Sequence, residues 1–226
     1  MGVSATTYQF LLVDIGDSGR QSDGNVYHNS YLGHAIENNL IGMPERKALP
    51  NSTRVLPYVF IGDDAFGLKP HMMKPYPNQF LPIDQRIFNY RLSRARRVVE
   101  NAFGIATTRF RIFRRPIIAA VEKVVAVTKA VVALHNYLLS VSNAEGAYQY
   151  CPRGYADGES RQGVIEGEWR AEAAHNGGLL DIPKFGSNNY SLAAGLVRDQ
   201  YKEYLNNEGA VDWQLDIVTC TSAGEQ

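Results

Sequence analysis

A mixed α/β domain is what this sequence predicts, and three observations predict it. Two short runs, 8–14 and 55–61, are dense in apolar, aromatic and β-branched residues and read as strands. Two longer segments, 84–105 and 117–140, have the apolar spacing or the length of helices. Glycine, proline, asparagine and aspartate gather between them as turns. With 226 residues, 45% hydrophobic and 20% charged, the chain is long enough to bury a core.

The elements follow in order. The run 8–14 has no charged start and reads as a buried strand that begins the domain abruptly. Turn residues occupy 16–24, and a short helix is expected at 30–38. Pro44, Pro50 and the Asn51-Ser52-Thr53 run mark a loop. The second strand, 55–61, carries Pro57 at an early or bulged position and ends in Gly62, Asp63 and Asp64. Ile87, Leu92, Ala95, Val98, Val99, Ala102 and Phe103 then recur at helical spacing, with Arg96, Arg97 and Glu100 on one side. Pro116 opens a second helix over 117–140. The glycine- and acid-rich stretch 144–185 reads as a linker or loose lobe. A last amphipathic helix over 191–207 is capped near Gly209. The expected organisation is therefore a domain over 1–140, a linker over 141–186 and a helical C-terminal extension over 187–226.

The formal net charge is zero, but the charges are segregated. Between Arg86 and Arg115 nine arginines face the single acid Glu100, a local balance of +8. From Glu145 onward 13 acids face 6 bases, a balance of −7. Such asymmetry points to a middle segment that meets a polyanion. Aromatic residues interleave with the arginines and read chiefly as core. Cys151 and Cys220 are too few and too distant for a disulfide framework or a paired-cysteine zinc site, so a reducing intracellular setting is expected. No uninterrupted 18-residue apolar run occurs, so no membrane span is expected. The five histidines lack metal-ligand spacing, and neither a serine-hydrolase elbow nor a P-loop is present.

Two carboxylates remain as candidates for chemistry. Asp63 ends a strand, where ligands of open α/β sheets are met, although a turn cap is the plainer use of such a residue. Glu100 lies in the basic helix, where an ion pair with Arg96 or Arg97 would also account for it. Carboxylates holding divalent ions amid phosphate-binding arginines are the parts of a phosphoryl-transfer site.

Residues 10–16 with Ser22 and Asp23, then 58–63, 88–104, 109–111, His135-Asn136-Tyr137-Leu138 and the C-terminal 197–214 together resemble the PIF/Harbinger-type transposases and their domesticated nucleases, the DDE superfamily endonucleases. The block of Arg96, Arg97, Val98, Val99, Glu100, Asn101, Ala102, Phe103 and Gly104 is its most specific segment. The resemblance implies an RNase H-like mixed sheet with flanking helices and an Asp-Asp-Glu triad binding two Mg2+ or Mn2+ ions. Asp63 would be the second acid and Glu100 the third; Asp64 departs from the small residue usual there. Asp14 and Asp23 match later segments, so the first acid and its strand are expected upstream of Met1, and the 226-residue chain is expected to be inactive alone.

The function expected is metal-dependent DNA phosphodiester hydrolysis or strand transfer, with Asp63 and Glu100 as catalytic and metal-binding residues and Arg91, Arg94, Arg96 and Arg97 contacting DNA. The alternative is a domesticated, non-catalytic scaffold binding DNA or protein through the basic helix. The resemblance further implies a nuclear location, with some presence in the cytoplasm. No helix-turn-helix module precedes the core, so site recognition is expected from a missing segment or from a separate DNA-binding partner protein.

Overall fold

The structure is a computed structural model describing residues 1–17, 23–141, 150–161, 163–176 and 189–220. Among these are seven α-helices and eight short strands, the mixed α/β class expected. The strands pair as four two-stranded ladders. The described residues fall into two compact units, each assembled from separated stretches of chain: 1–17 with 97–141, 150–161 and 163–176, and 23–96 with 189–220.

In the first unit β1 (Gly2–Ser4) pairs antiparallel with β2 (Phe10–Val13). The expected core strand at 8–14 is thus a short hairpin arm. Phe10 is buried, whereas Leu11 is 65% exposed, because alternate residues of a strand point to opposite faces and one face is uncovered. Phe10 packs with Ala102 and Ala106 of α3 (Ile83–Arg109), whose second half belongs to this unit. A single 3-10 turn, Arg111–Arg114, follows, then α4 (Val121–Val141). Pro116 stands five residues ahead of α4 instead of in its first turn, correcting the expected start at 117.

By length and composition α4 is apolar enough to cross a membrane, a criterion that helices of soluble proteins also meet. Its face toward β2 is polar and specific. His135 is fully buried, with Nε2 2.9 Å from the Tyr8 carbonyl and Nδ1 2.9 Å from the Tyr150 hydroxyl. Because a carbonyl only accepts, Nε2 carries the proton and Nδ1 accepts from Tyr150. Next to it, Asn136 accepts from the Phe10 N–H and donates to the Phe10 carbonyl, both at 2.8 Å.

The stretch read as a linker or loose lobe carries ordered elements where it is described. Here β7 (Gly158–Ser160) pairs antiparallel with β8 (Gly163–Ile165), and α5 (Glu168–Asn176) follows. Tyr150 and Tyr155 pack with Ile105 of α3, and the Tyr155 hydroxyl donates to Thr108 Oγ1 at 2.9 Å. These buried aromatics overcome a composition that otherwise reads as solvated.

In the second unit the expected helix at 30–38 is a pair, α1 (Asp23–Asn29) and α2 (Tyr31–Glu37). Ser30 separates them because its hydroxyl caps α2, accepting the Gly33 N–H at 2.8 Å. β3 (Lys47–Ala48) pairs antiparallel with β4 (Val55–Leu56), and β5 (Phe60–Ile61) pairs parallel with β6 (Met72–Met73). The single strand expected at 55–61 is therefore broken in two. Pro57 has no N–H for a ladder, and its carbonyl accepts the Tyr201 hydroxyl instead. Leu68, Met73, Tyr76, Phe88 and Leu92 form a core with Ala194 and Val197 of α6 (Leu192–Asn206). Ser191 caps α6, and the Gly209 N–H returns to the Tyr204 carbonyl at 2.8 Å, the ending expected from sequence. A further helix, α7 (Gln214–Cys220), follows.

Candidate active site

Asp63 belongs to the second unit, immediately after β5. Its Oδ1 accepts the Ala65 N–H at 3.0 Å and its carbonyl accepts the Phe66 N–H at 3.3 Å, so the residue does serve as a turn cap. Gly62 before it is required: a Cβ there would lie 2.8 Å from the Phe66 ring, which closes over the turn. Asp64 is exposed and Asp63 half-buried. Sequence reasoning missed Lys74, whose buried ammonium donates to the Asp64 carbonyl at 2.9 Å. Burial lowers the Lys74 pKa, partly offset by the charges of Asp64 and Asp63.

Glu100 belongs to the first unit, in the second half of α3. Its carboxylate lies 3.7 Å from Nη2 of Arg170 on α5, a partner outside its own helix. Arg170 is itself fixed by Asp157, whose carboxylate is fully buried and accepts from Arg170 Nε at 2.8 Å and from the Gly167 N–H at 2.9 Å. Burial pushes the Asp157 pKa up, but the Arg170 hydrogen bond, the Gly167 N–H and the nearby charges of Arg170 and Arg97 outweigh it, and the net shift is down.

The residues after Glu100 build this support. Asn101 Oδ1 accepts the Asp157 N–H at 3.0 Å and the Trp169 indole N–H at 2.8 Å. Gly104 lies under the same indole, where a Cβ would come within 2.4 Å of Trp169 Cε3. α5 and the 155–157 turn are thus built upon the block around Glu100. Asp157, Trp169 and Arg170 were not legible: no spacing rule links them to a helix more than 50 residues earlier.

The four candidate DNA-contacting arginines have varied surroundings. Arg91 Nη1 donates to the Gly209 carbonyl at 2.9 Å and to Gln214 Oε1 at 2.8 Å. The Arg94 guanidinium lies 5.8 Å from the Tyr90 ring centroid and 5.5 Å from that of Trp213. Both tie α3 to the C-terminal segment. Arg96 is half-buried and partnered within the chain, and Arg97 is close enough to Asp157 to favour its ionised form.

Asp63 and Glu100 suit divalent cations by donor type, since Mg2+ and Mn2+ take hard carboxylate oxygens and keep several waters. Both are also reached by solvent. Among the described residues no group of three His, Cys, Asp or Glu is drawn together as a metal cage.

Residues 1–136, more than half the chain, match the family described as DDE superfamily endonuclease. The chain belongs to the DDE superfamily endonuclease family. Both candidate carboxylates and all four arginines of this chain lie inside the matched region. The Glu100 partners at 157–170 lie beyond it. No curated protein and no solved structure matches this chain.

Proposed function

We propose that this chain is a transposase-derived nuclease of the PIF/Harbinger type, with an RNase H-like core, acting on DNA phosphodiesters with divalent cations. The observation that carries the reading is the family match over 1–136, with Asp63 at a strand end and Glu100 in the arginine-rich block inside it. Two bound cations supply activation of an attacking oxygen and stabilisation of the leaving one. Asp63 and Glu100 would hold them through carboxylate oxygens. Arg170 orients the Glu100 carboxylate while Asp157 fixes Arg170, so that Glu100 meets a cation in a preset rotamer. Arg91, Arg94, Arg96 and Arg97 contact DNA phosphates, Arg91 and Arg94 with part of their capacity already committed within the chain. A separate DNA-binding protein as partner and a nuclear location complete the reading.

The test is Mn2+ binding by titration calorimetry, together with Mn2+- and Mg2+-dependent nicking of supercoiled plasmid, on the protein at its native length. Asp63→Ala and Glu100→Ala are each expected to weaken Mn2+ binding and abolish nicking without loss of fold. Variants that bind Mn2+ and nick like the wild type would remove both residues from the chemistry.

A further inference from the structure

The part of the arginine-rich segment that follows α3 is arranged differently from the part within it. Around the 3-10 turn Arg111–Arg114, in the first unit, lies an open cavity of about 510 Å3 lined in part by Arg111, Arg114, Arg115, Ile117 and His175. Arg114 is anchored: its Nη2 donates to the Thr108 carbonyl at 2.9 Å and lies 3.7 Å from Glu172 Oε2. Its Nε is buried and has no hydrogen-bond partner among the described residues. A buried guanidinium N–H without an acceptor is costly.

Arg111 and Arg115 are exposed, and among the described residues neither guanidinium makes a hydrogen bond or ion pair. Arg111 and Arg114 stand one 3-10 turn apart, about 6 Å along the axis, and so lie on the same side. Glu172 is the one carboxylate in ion-pair range of this trio among the described residues. Completing the negative end of α3 needs one cation, and Arg109 already occupies its last turn. Three further arginines exceed that need.

We propose that Arg111, Arg114 and Arg115 form a phosphate-binding site that grips the DNA backbone, separate from the arginines within α3. This rests on the reading of the chain as acting on DNA. Planar guanidinium groups match phosphate oxygens in pairs, and an open cavity with anchored and exposed arginines suits a polymer backbone without selecting a base sequence.

The experiment is fluorescence anisotropy of a labelled random-sequence duplex in EDTA, from 50 to 200 mM NaCl, comparing wild type with Arg111→Gln/Arg115→Gln. Arg153→Gln, an exposed arginine outside the cavity, is the control. The double variant leaves the anchored Arg114 contacts intact, and circular dichroism checks its fold. The slope of log K against log salt is expected to fall by about 2, at roughly 0.9 per phosphate contact, with affinity weakened alike for unrelated sequences. An unchanged slope and affinity in the double variant, with wild type binding normally, would overturn the site and leave the nuclease reading standing. Wild type that fails to bind duplex at all would overturn the DNA reading and the site with it. Thermal stabilisation by inorganic phosphate, lost in the double variant while duplex binding stays unchanged, would make this a small-anion site and likewise overturn the proposal.

Discussion

His135 shows how one side chain can read as ordinary packing and still carry several constraints. The five histidines lack metal-ligand spacing, and His135 is fully buried. The ring nevertheless bridges Tyr8 and Tyr150 with a fixed tautomer. Burial lowers its pKa below the usual value of about 6.5, partly offset by the hydrogen bond to the Tyr8 carbonyl. The sign follows directly: the unfolded chain takes up the proton more readily than the folded one. The stability contributed by neutral His135 is present above about pH 6.5 and is lost as pH falls below that toward the folded value. Urea midpoints are therefore expected to fall between pH 7.5 and 5.5. In His135→Gln, whose amide can both donate and accept but does not titrate, that slope should shrink. An identical slope in both proteins would assign the pH dependence to other groups.

At the scale of elements, the long helices were the most legible. The apolar spacing at 84–105 marks most of α3, and Ser191 with Gly209 marks α6 closely. Strand 55–61 was half legible, since Pro57 was noticed but only the Tyr201 hydroxyl on its carbonyl explains the full break. The Arg170 partner of Glu100 was not legible, because α5 lies 70 residues on. The α3–α5 contact makes its own prediction. Gly104→Ala raises helix propensity by about 1 kcal/mol. The added methyl would meet the Trp169 ring within 2.4 Å, and overpacking costs roughly 1–3 kcal/mol. The variant should thus unfold at lower urea than wild type, with the Trp169 fluorescence signal altered. A more stable variant would mean the indole moves aside freely.

At the scale of the whole molecule, the chain folds as segments that return to earlier ones, and composition alone does not reveal this. The acidic C-terminal region looked separable, yet α6 supplies Ala194 and Val197 to the core containing Leu68, Met73, Phe88 and Leu92. Arg54 adds hydrogen-bonded ion pairs to Glu203 at 2.7 Å and Glu208 at 3.0 Å, which offset part of the charge asymmetry. A chain ending at residue 186 should lose the cooperative unfolding of the unit formed by 23–96 and expose apolar surface that binds dye. Retained cooperativity in such a chain would make the C-terminal helices an accessory. The mixed α/β class was visible at once from strand and helix runs, whereas the pairing of strands into four small ladders was not, because pairing partners carry no local signature.

Asn136 carries a consequence for how copies of this protein avoid one another. By occupying both backbone groups of Phe10, its carboxamide imitates a neighbouring strand one residue long. A hairpin arm with unsatisfied backbone is a template for a strand from another molecule. Here part of that template is already filled from within, by a helix that cannot propagate a ladder. The exposed Leu11 beside it can then remain at the surface without seeding a growing intermolecular sheet.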